Sequence, residues 1–138
     1  MIEVDFLPEH LIIIGGSYIG LEFAQMYRRF GSRVTVVEMG PRLIVRKDED
    51  VSDAIREIRE NEGIEFRTGA SCICVENQDG KIVLNADCDE GAEKIIGSHI
   101  LLAVGRKPNT DGLGLDKAGV ETDERSDVNG RGAFTHTY

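Results

Sequence analysis

The chain has 138 residues, 41% hydrophobic and 30% charged, with 25 acidic against 16 basic side chains and a net charge of −9. That apolar content supports a folded core and excludes a disordered chain, and the length suits one domain. The negative charge argues against nucleic acid or an anionic membrane surface as a partner, and no apolar run approaches the roughly 18 residues of a membrane span.

Met1-Ile2-Glu3-Val4-Asp5 has neither a basic region nor a signal-peptide core, so a cytoplasmic protein is expected. Three cysteines, with no C-x-x-C spacing, point to neither a disulfide framework nor a zinc site, and no metal ligands are expected. Leu7-Pro8-Glu9-His10 forms a lead-in, with His10 a strand-edge residue rather than a ligand.

The informative stretch is Leu11 to Glu38. The apolar run Leu11-Ile12-Ile13-Ile14 reads as a buried strand. The turn Gly15-Gly16-Ser17-Tyr18-Ile19-Gly20 follows, then a helical spacing of Ile19, Phe23, Tyr27 and Phe30. Gly31 ends the helix after Arg28 and Arg29, where cations suit the dipole. The β-branched run Val34-Thr35-Val36-Val37 closes on Glu38. Strand, glycine turn, helix, strand and acid is the order of a dinucleotide-binding βαβ unit. Gly15 permits the sharp reversal, Gly20 lets helix and strand pack closely, and the helix N-terminus faces phosphate. Ser17 stands where the pattern has its second glycine, so the fit is imperfect. Glu38 lies 38 − 15 = 23 positions past Gly15, where about 20 is expected. A carboxylate there accepts from ribose hydroxyls and repels the extra phosphate of NADP, which favours NAD.

Beyond Glu38, Met39-Gly40-Pro41-Arg42 reads as a loop, and the charged stretch to Asp50 as a solvated connection. The alternative is that one of its cations meets a cofactor phosphate. Val51, Ala54, Ile55 and Ile58 form an apolar helical stripe that Gly63 ends, and Ile64-Glu65-Phe66-Arg67 alternates as a third strand. Ile73-Cys74-Val75 and Lys81-Ile82-Val83-Leu84 flank Asn77-Gln78-Asp79-Gly80, a hairpin signal, and Glu93-Lys94-Ile95-Ile96 supplies a further strand. Cys72 and Cys74 face one side of this meander, where packing as small apolar residues is expected over a redox or metal role. The main sheet resumes at Ser98 to Val104 and ends at Gly105. Residues 112–120 read as a short turn of helix and a terminal strand. The fold class is α/β: a Rossmann-like parallel sheet with an inserted three-stranded antiparallel meander.

Gly15 to Glu22, Glu38, the meander, and Ala103-Val104-Gly105-Arg106-Lys107-Pro108-Asn109-Thr110 together resemble the NAD(P)-binding domain of the flavoprotein disulfide reductases. That family includes dihydrolipoamide dehydrogenase, glutathione reductase and mercuric reductase. The second segment looks like the family's A-T-G-R-x-P-N motif. The resemblance implies that Gly15, Gly16, Ser17, Tyr18, Ile19 and Gly20 wrap the pyrophosphate. It places Glu22 near the nicotinamide, Glu38 on the adenosine ribose, and Gly105 on a cleft facing a flavin domain.

On this reading residues 1–125 are the NAD-binding domain. Residues 126–138 resemble a flavin-contacting segment in which the counterpart of Asp127 bonds the ribityl chain, and an intervening segment is missing before Ser126. The implied parent enzyme uses NADH in preference to NADPH, holds FAD, has FAD and interface domains, and is a homodimer. It passes hydride from NADH to FAD and then electrons to a disulfide or metal acceptor. Cys72, Cys74 and Cys88 lack the family's Cys-x-x-x-x-Cys spacing, so no catalytic residue is expected here and the isolated fragment is expected to be inactive. One rival is a non-catalytic NAD-binding sensing or interaction module, against which the Arg106–Thr110 loop speaks. Another is an S-adenosylmethionine-dependent transferase, which the meander and the Gly105 loop disfavour.

Overall fold

A run of four apolar residues has no polar face to turn to water, so it needs cover on both sides. In the computed structural model, which describes residues 4–87, 94–124 and 126–128, that run is β1 (His10–Ile14), buried along its whole length. It is followed by α1 (Tyr18–Arg29), β2 (Arg33–Glu38), α2 (Glu49–Asn61) and β3 (Glu65–Thr68). Then come β4 (Cys74–Gln78), β5 (Lys81–Asn85), β6 (Lys94–Gly97) and β7 (His99–Leu102). The chain divides into two compact units, one running to Val104 and one beginning at Gly105.

The first unit holds a parallel sheet ordered β3-β2-β1-β7 and an antiparallel sheet ordered β4-β5-β6. The parallel register pairs Ile13 with Val36 on one side and with Leu101 on the other. Strand alternation sorts β1 into two faces. Leu11 and Ile13 pack with Leu21, Ala24 and Tyr27 of α1, with Val34 and Val36 of β2, and with Phe66 of β3. Ile12 and Ile14 pack with Val37 and with Leu84 and Ile95 of the meander. The meander thus caps the sheet face opposite α1, which is why both faces of β1 are apolar. The expected α/β fold with its inserted meander is present.

The N-terminal end of the sheet is tied by His10. Its Nδ1 lies 2.7 Å from Ile96 O and its Nε2 2.9 Å from Thr35 Oγ1. A carbonyl only accepts, so Nδ1 carries a proton, while the Thr35 hydroxyl beside Nε2 also lies within donating distance of Glu65 Oε2 at 3.3 Å. Burial pushes the imidazole below its ordinary value, against the opposing pull of the Ile96 carbonyl. Ser98 Oγ donates to His10 O at 3.0 Å and accepts from His10 N–H at 3.1 Å.

Three expectations are corrected. The inward face of α2 is not the apolar stripe: Val51, Ala54 and Ile58 are exposed, Ile55 is half-buried, and Ser52 is the one fully buried residue of the helix. The terminal strand expected within residues 112–120 does not form: the segment is turns, one of them helical, closed by Ala118 N–H to Gly114 O at 3.3 Å and ended at Gly119 with a positive φ of 67°. Cys72 is disulfide-bonded and half-buried, whereas Cys74 is exposed; the two are not equivalent small packing residues. Cys88, the polar turn around it, Glu93 and the tail from Asn129 onward lie outside the described residues. Among the described residues, no helix is long and apolar enough to cross a membrane, and no cluster of potential metal ligands forms.

The second unit is held by local bonds. Thr122 and Val128 make an antiparallel bridge, Thr110 Oγ1 donates to Ser126 O at 3.0 Å, and Lys107 pairs with Asp111 at 3.1 Å.

Candidate nucleotide-binding site

Each glycine of the Gly15–Gly20 turn answers a different steric demand. Gly15 has φ +111°, and a Cβ there would lie 2.4 Å from Ala103 O, so neither the conformation nor the space admits a side chain. At Gly20 a Cβ would come within 2.0 Å of Gly15 O: the first turn of α1 rests directly on the backbone that leaves β1. At Gly16 it would meet Leu43 Cδ2 at 2.8 Å and Glu38 Cβ at 3.1 Å. The glycine turn is therefore pressed between α1, the end of β7 and the loop that follows β2.

Ser17 is the N-cap of α1, extended at φ −96° and ψ −173°, and its hydroxyl makes no capping bond. The first helical bond runs from Leu21 N–H to Ser17 O at 3.0 Å, so the N–H groups of the preceding turn have no partner within the helix. No acidic residue stands in that first turn. Ser17, Tyr18 and Ile19 are exposed. The result is an open helix end with no acidic residue in its own first turn, which suits a phosphate.

Glu38 ends β2 and turns back onto the glycine turn. Its Oε2 accepts from Gly16 N–H at 2.6 Å and its Oε1 from Gly40 N–H at 2.7 Å. An ionised carboxylate has about four lone-pair directions, so two remain for further donors such as ribose hydroxyls. The pairing of Glu38 with the turn 22 positions earlier brings together the acid and the glycines that the spacing had singled out.

Four further residues complete the site and were not legible beforehand. Gly40 supplies the second donor to Glu38. Leu43, buried, packs under Gly16. Ile44 donates its N–H to Gly16 O at 3.0 Å and has a positive φ of 44°, which sterics disfavour for a β-branched residue. Ser52 Oγ donates to Leu43 O at 2.7 Å. Arg42, a candidate phosphate ligand, instead turns its guanidinium onto its own loop, donating to Lys47 O at 3.3 Å. Glu22 is exposed on α1. Gly105 and Asp127 belong to the second unit. Gly105 has φ +130°, and Asp127 exchanges bonds with Asp123: N–H to Asp123 Oδ1 at 2.8 Å, and carbonyl from Asp123 N–H at 2.9 Å.

The chain matches the family of pyridine nucleotide-disulphide oxidoreductases over residues 1–134. It belongs to that family. It is 44% identical over 121 residues to a dihydrolipoyl dehydrogenase of Thermus scotoductus, covering 86% of this chain and 26% of that protein. It is 40% identical over 126 residues to a mercuric reductase of Streptomyces lividans, covering 91% of this chain and 26% of that protein. Among solved structures it is similar to the HOCl-induced flavoprotein disulfide reductase RclA of Escherichia coli, in its Cu(II) complex. There the TM-score is 0.78 and the identity 31%, over 92% of this chain and 28% of RclA. The chain thus spans about a quarter of the length of these relatives, and the resemblance drawn from Gly15–Glu22, Glu38 and Ala103–Thr110 places it in the right family.

Proposed function

We propose that this chain is the NADH-binding portion of an FAD-dependent pyridine nucleotide-disulphide oxidoreductase. The observation that carries the reading is the Glu38–Gly16 bond, which ties the acid at the end of β2 to the glycine turn at the end of β1. The groups present fit the nucleotide. Gly15, Gly16 and Gly20 keep the turn closely packed, since a side chain at any of the three would strike the surrounding protein. The helix end at Ser17, Tyr18 and Ile19 offers N–H donors to the pyrophosphate, and Glu38 retains acceptor capacity for the adenosine ribose. Glu22 stands toward the nicotinamide, and Gly105 and Asp127 keep the flavin-facing roles that the resemblance implies. When bound, the nucleotide supplies hydride to a flavin; this chain's residues bind and orient it.

NADH is preferred to NADPH on this reading. A 2′-phosphate would meet the Glu38 carboxylate, and Arg42, the nearby cation, already donates to the carbonyls of its own loop. The 138 residues alone bind nucleotide without turnover. The FAD and interface domains of a homodimeric parent would supply the redox pair and the acceptor site. Residues 1–125 form the nucleotide-binding region on this reading, and 126–138 belong to the flavin-contacting part.

Calorimetric titration of the chain with NADH and NADPH in parallel tests the proposal. Binding of NADH with weaker binding of NADPH is expected. Absence of binding to both would remove the nucleotide site.

A further inference from the structure

We propose that Ser52 is a positioning residue for the nucleotide site, acting through the Leu43–Ile44 segment to hold Gly16 in place. This rests on the reading of Gly15–Gly20 as the pyrophosphate cradle. The starting observation is an inversion of the expected pattern. Of the thirteen residues of α2, the fully buried one is a serine, 1% exposed, while Val51 and Ile58 face water. A hydroxyl taken out of water is unfavourable unless it is hydrogen-bonded. Asp48 O accepts the backbone N–H of Ser52 at 3.1 Å, as in any helix. The hydroxyl reaches nine residues back, to Leu43 O at 2.7 Å, in a buried setting.

Leu43 is 1% exposed and sits against the Cα of Gly16, where an added Cβ would be 2.8 Å from its Cδ2. The next residue, Ile44, is held at positive φ and buried. Such a conformation persists only where surrounding contacts over-determine it. Its N–H is engaged by Gly16 O at 3.0 Å and its carbonyl by Lys47 N–H at 2.8 Å, and the carbonyl of the preceding residue is engaged by Ser52. Gly16 is in turn gripped at both polar groups: N–H by Glu38, C=O by Ile44. A continuous chain of bonds therefore runs from Ser52 through Leu43 and Ile44 to Gly16 and Glu38. Removing the hydroxyl leaves Leu43 O buried without its donor. It also frees Ile44 to relax to negative φ, which withdraws the N–H from Gly16 O.

The test compares the 138-residue chain with Ser52→Ala, Ser52→Thr and Ser52→Cys. Two readouts are taken: NADH affinity by calorimetry, and exchange of the Ile44 amide by NMR without ligand. Ser52→Ala is expected to raise the Kd for NADH about tenfold and to accelerate Ile44 exchange, and Ser52→Thr to restore both. Ser52→Cys keeps the shape with a weaker donor, and it carries the same test if Ser52→Ala does not fold. A folded Ala or Cys variant with wild-type affinity overturns the positioning role while leaving the nucleotide site standing. Unchanged Ile44 exchange overturns it as well. A wild-type chain that binds no NADH overturns the nucleotide reading, and the positioning role with it.

Discussion

Glu38 and Gly16 are joined by a charge-assisted hydrogen bond of 2.6 Å between the carboxylate and the backbone N–H of the glycine turn. The acid is therefore part of the turn's architecture as well as an acceptor for ligand. Replacing Glu38 with Ser removes this bond and the bond to Gly40. Hydrogen bonds to charged groups contribute about 1.5–3 kcal/mol each in favourable settings. We expect Glu38→Ser to weaken NADH binding by about tenfold or more, to narrow the preference over NADPH, and to lower stability by about 2 kcal/mol. Parallel calorimetry and urea unfolding measure all three. Unchanged affinity for both nucleotides would take Glu38 out of the site.

Gly20 tests the close seating of α1 on the turn. A methyl there would stand 2.0 Å from Gly15 O, so backbone must move on both sides. We expect Gly20→Ala to cost about 3 kcal/mol or more. Gly112→Ala, where nothing lies within 4 Å of an added Cβ, should stay within about 0.5 kcal/mol of wild type. Urea denaturation of the two variants gives the contrast, and equal stability would refute the packing argument.

His10 makes stability depend on pH. Its folded value is held below 6.5, first by burial, so the unfolded chain takes up the proton before the folded one. Its contribution is therefore fully present above pH 6.5 and is lost as pH falls through the lowered folded value. Arg33 lowers that value further, and Glu65 and Glu9 oppose it. Between about pH 7.5 and pH 5.5, close to the ordinary histidine range, wild type should lose stability and His10→Asn should show a flatter profile. Identical slopes in the two proteins would mean that His10 carries no linked proton.

The 138 residues should bind NADH without oxidising it. Loss of NADH absorbance in the presence of the chain and free FAD should proceed no faster than with FAD alone. Sustained protein-dependent turnover would contradict the division of labour proposed above.

The parts legible from sequence are those where one local pattern decides the outcome. β1, the glycine turn, α1 and β2 are contiguous, and the strand and helix periods change where the glycines stand. The meander was readable because Asp79-Gly80 between two apolar runs has few other structures to form; both residues adopt positive φ. What stayed hidden depends on contacts made in three dimensions. The stripe at Val51, Ala54 and Ile58 marks α2 as a helix, but its inward face is chosen by Leu43 O, which needs a donor. Ile44 carries no sequence signal for positive φ, because its own preference opposes it. Gly16 showed as a glycine of the turn, but nothing in the pattern announced that Glu38 and Ile44 would grip both sides of its backbone.

The sheet order has a consequence for how the chain reaches this state. β1 is flanked by β2, close in sequence, and by β7, whose neighbour Ser98 bonds His10 across 88 positions. One side of β1 can pair early, within a short loop. The other must wait until almost all of the first unit has been made, and closing so long a loop is slow relative to local pairing. Until then the most apolar strand of the protein has an open edge, a template for pairing with another chain. Premature termination anywhere before His99 would therefore leave an aggregation-prone nascent chain, so in this fold the last strand of the first unit is also its safeguard during synthesis.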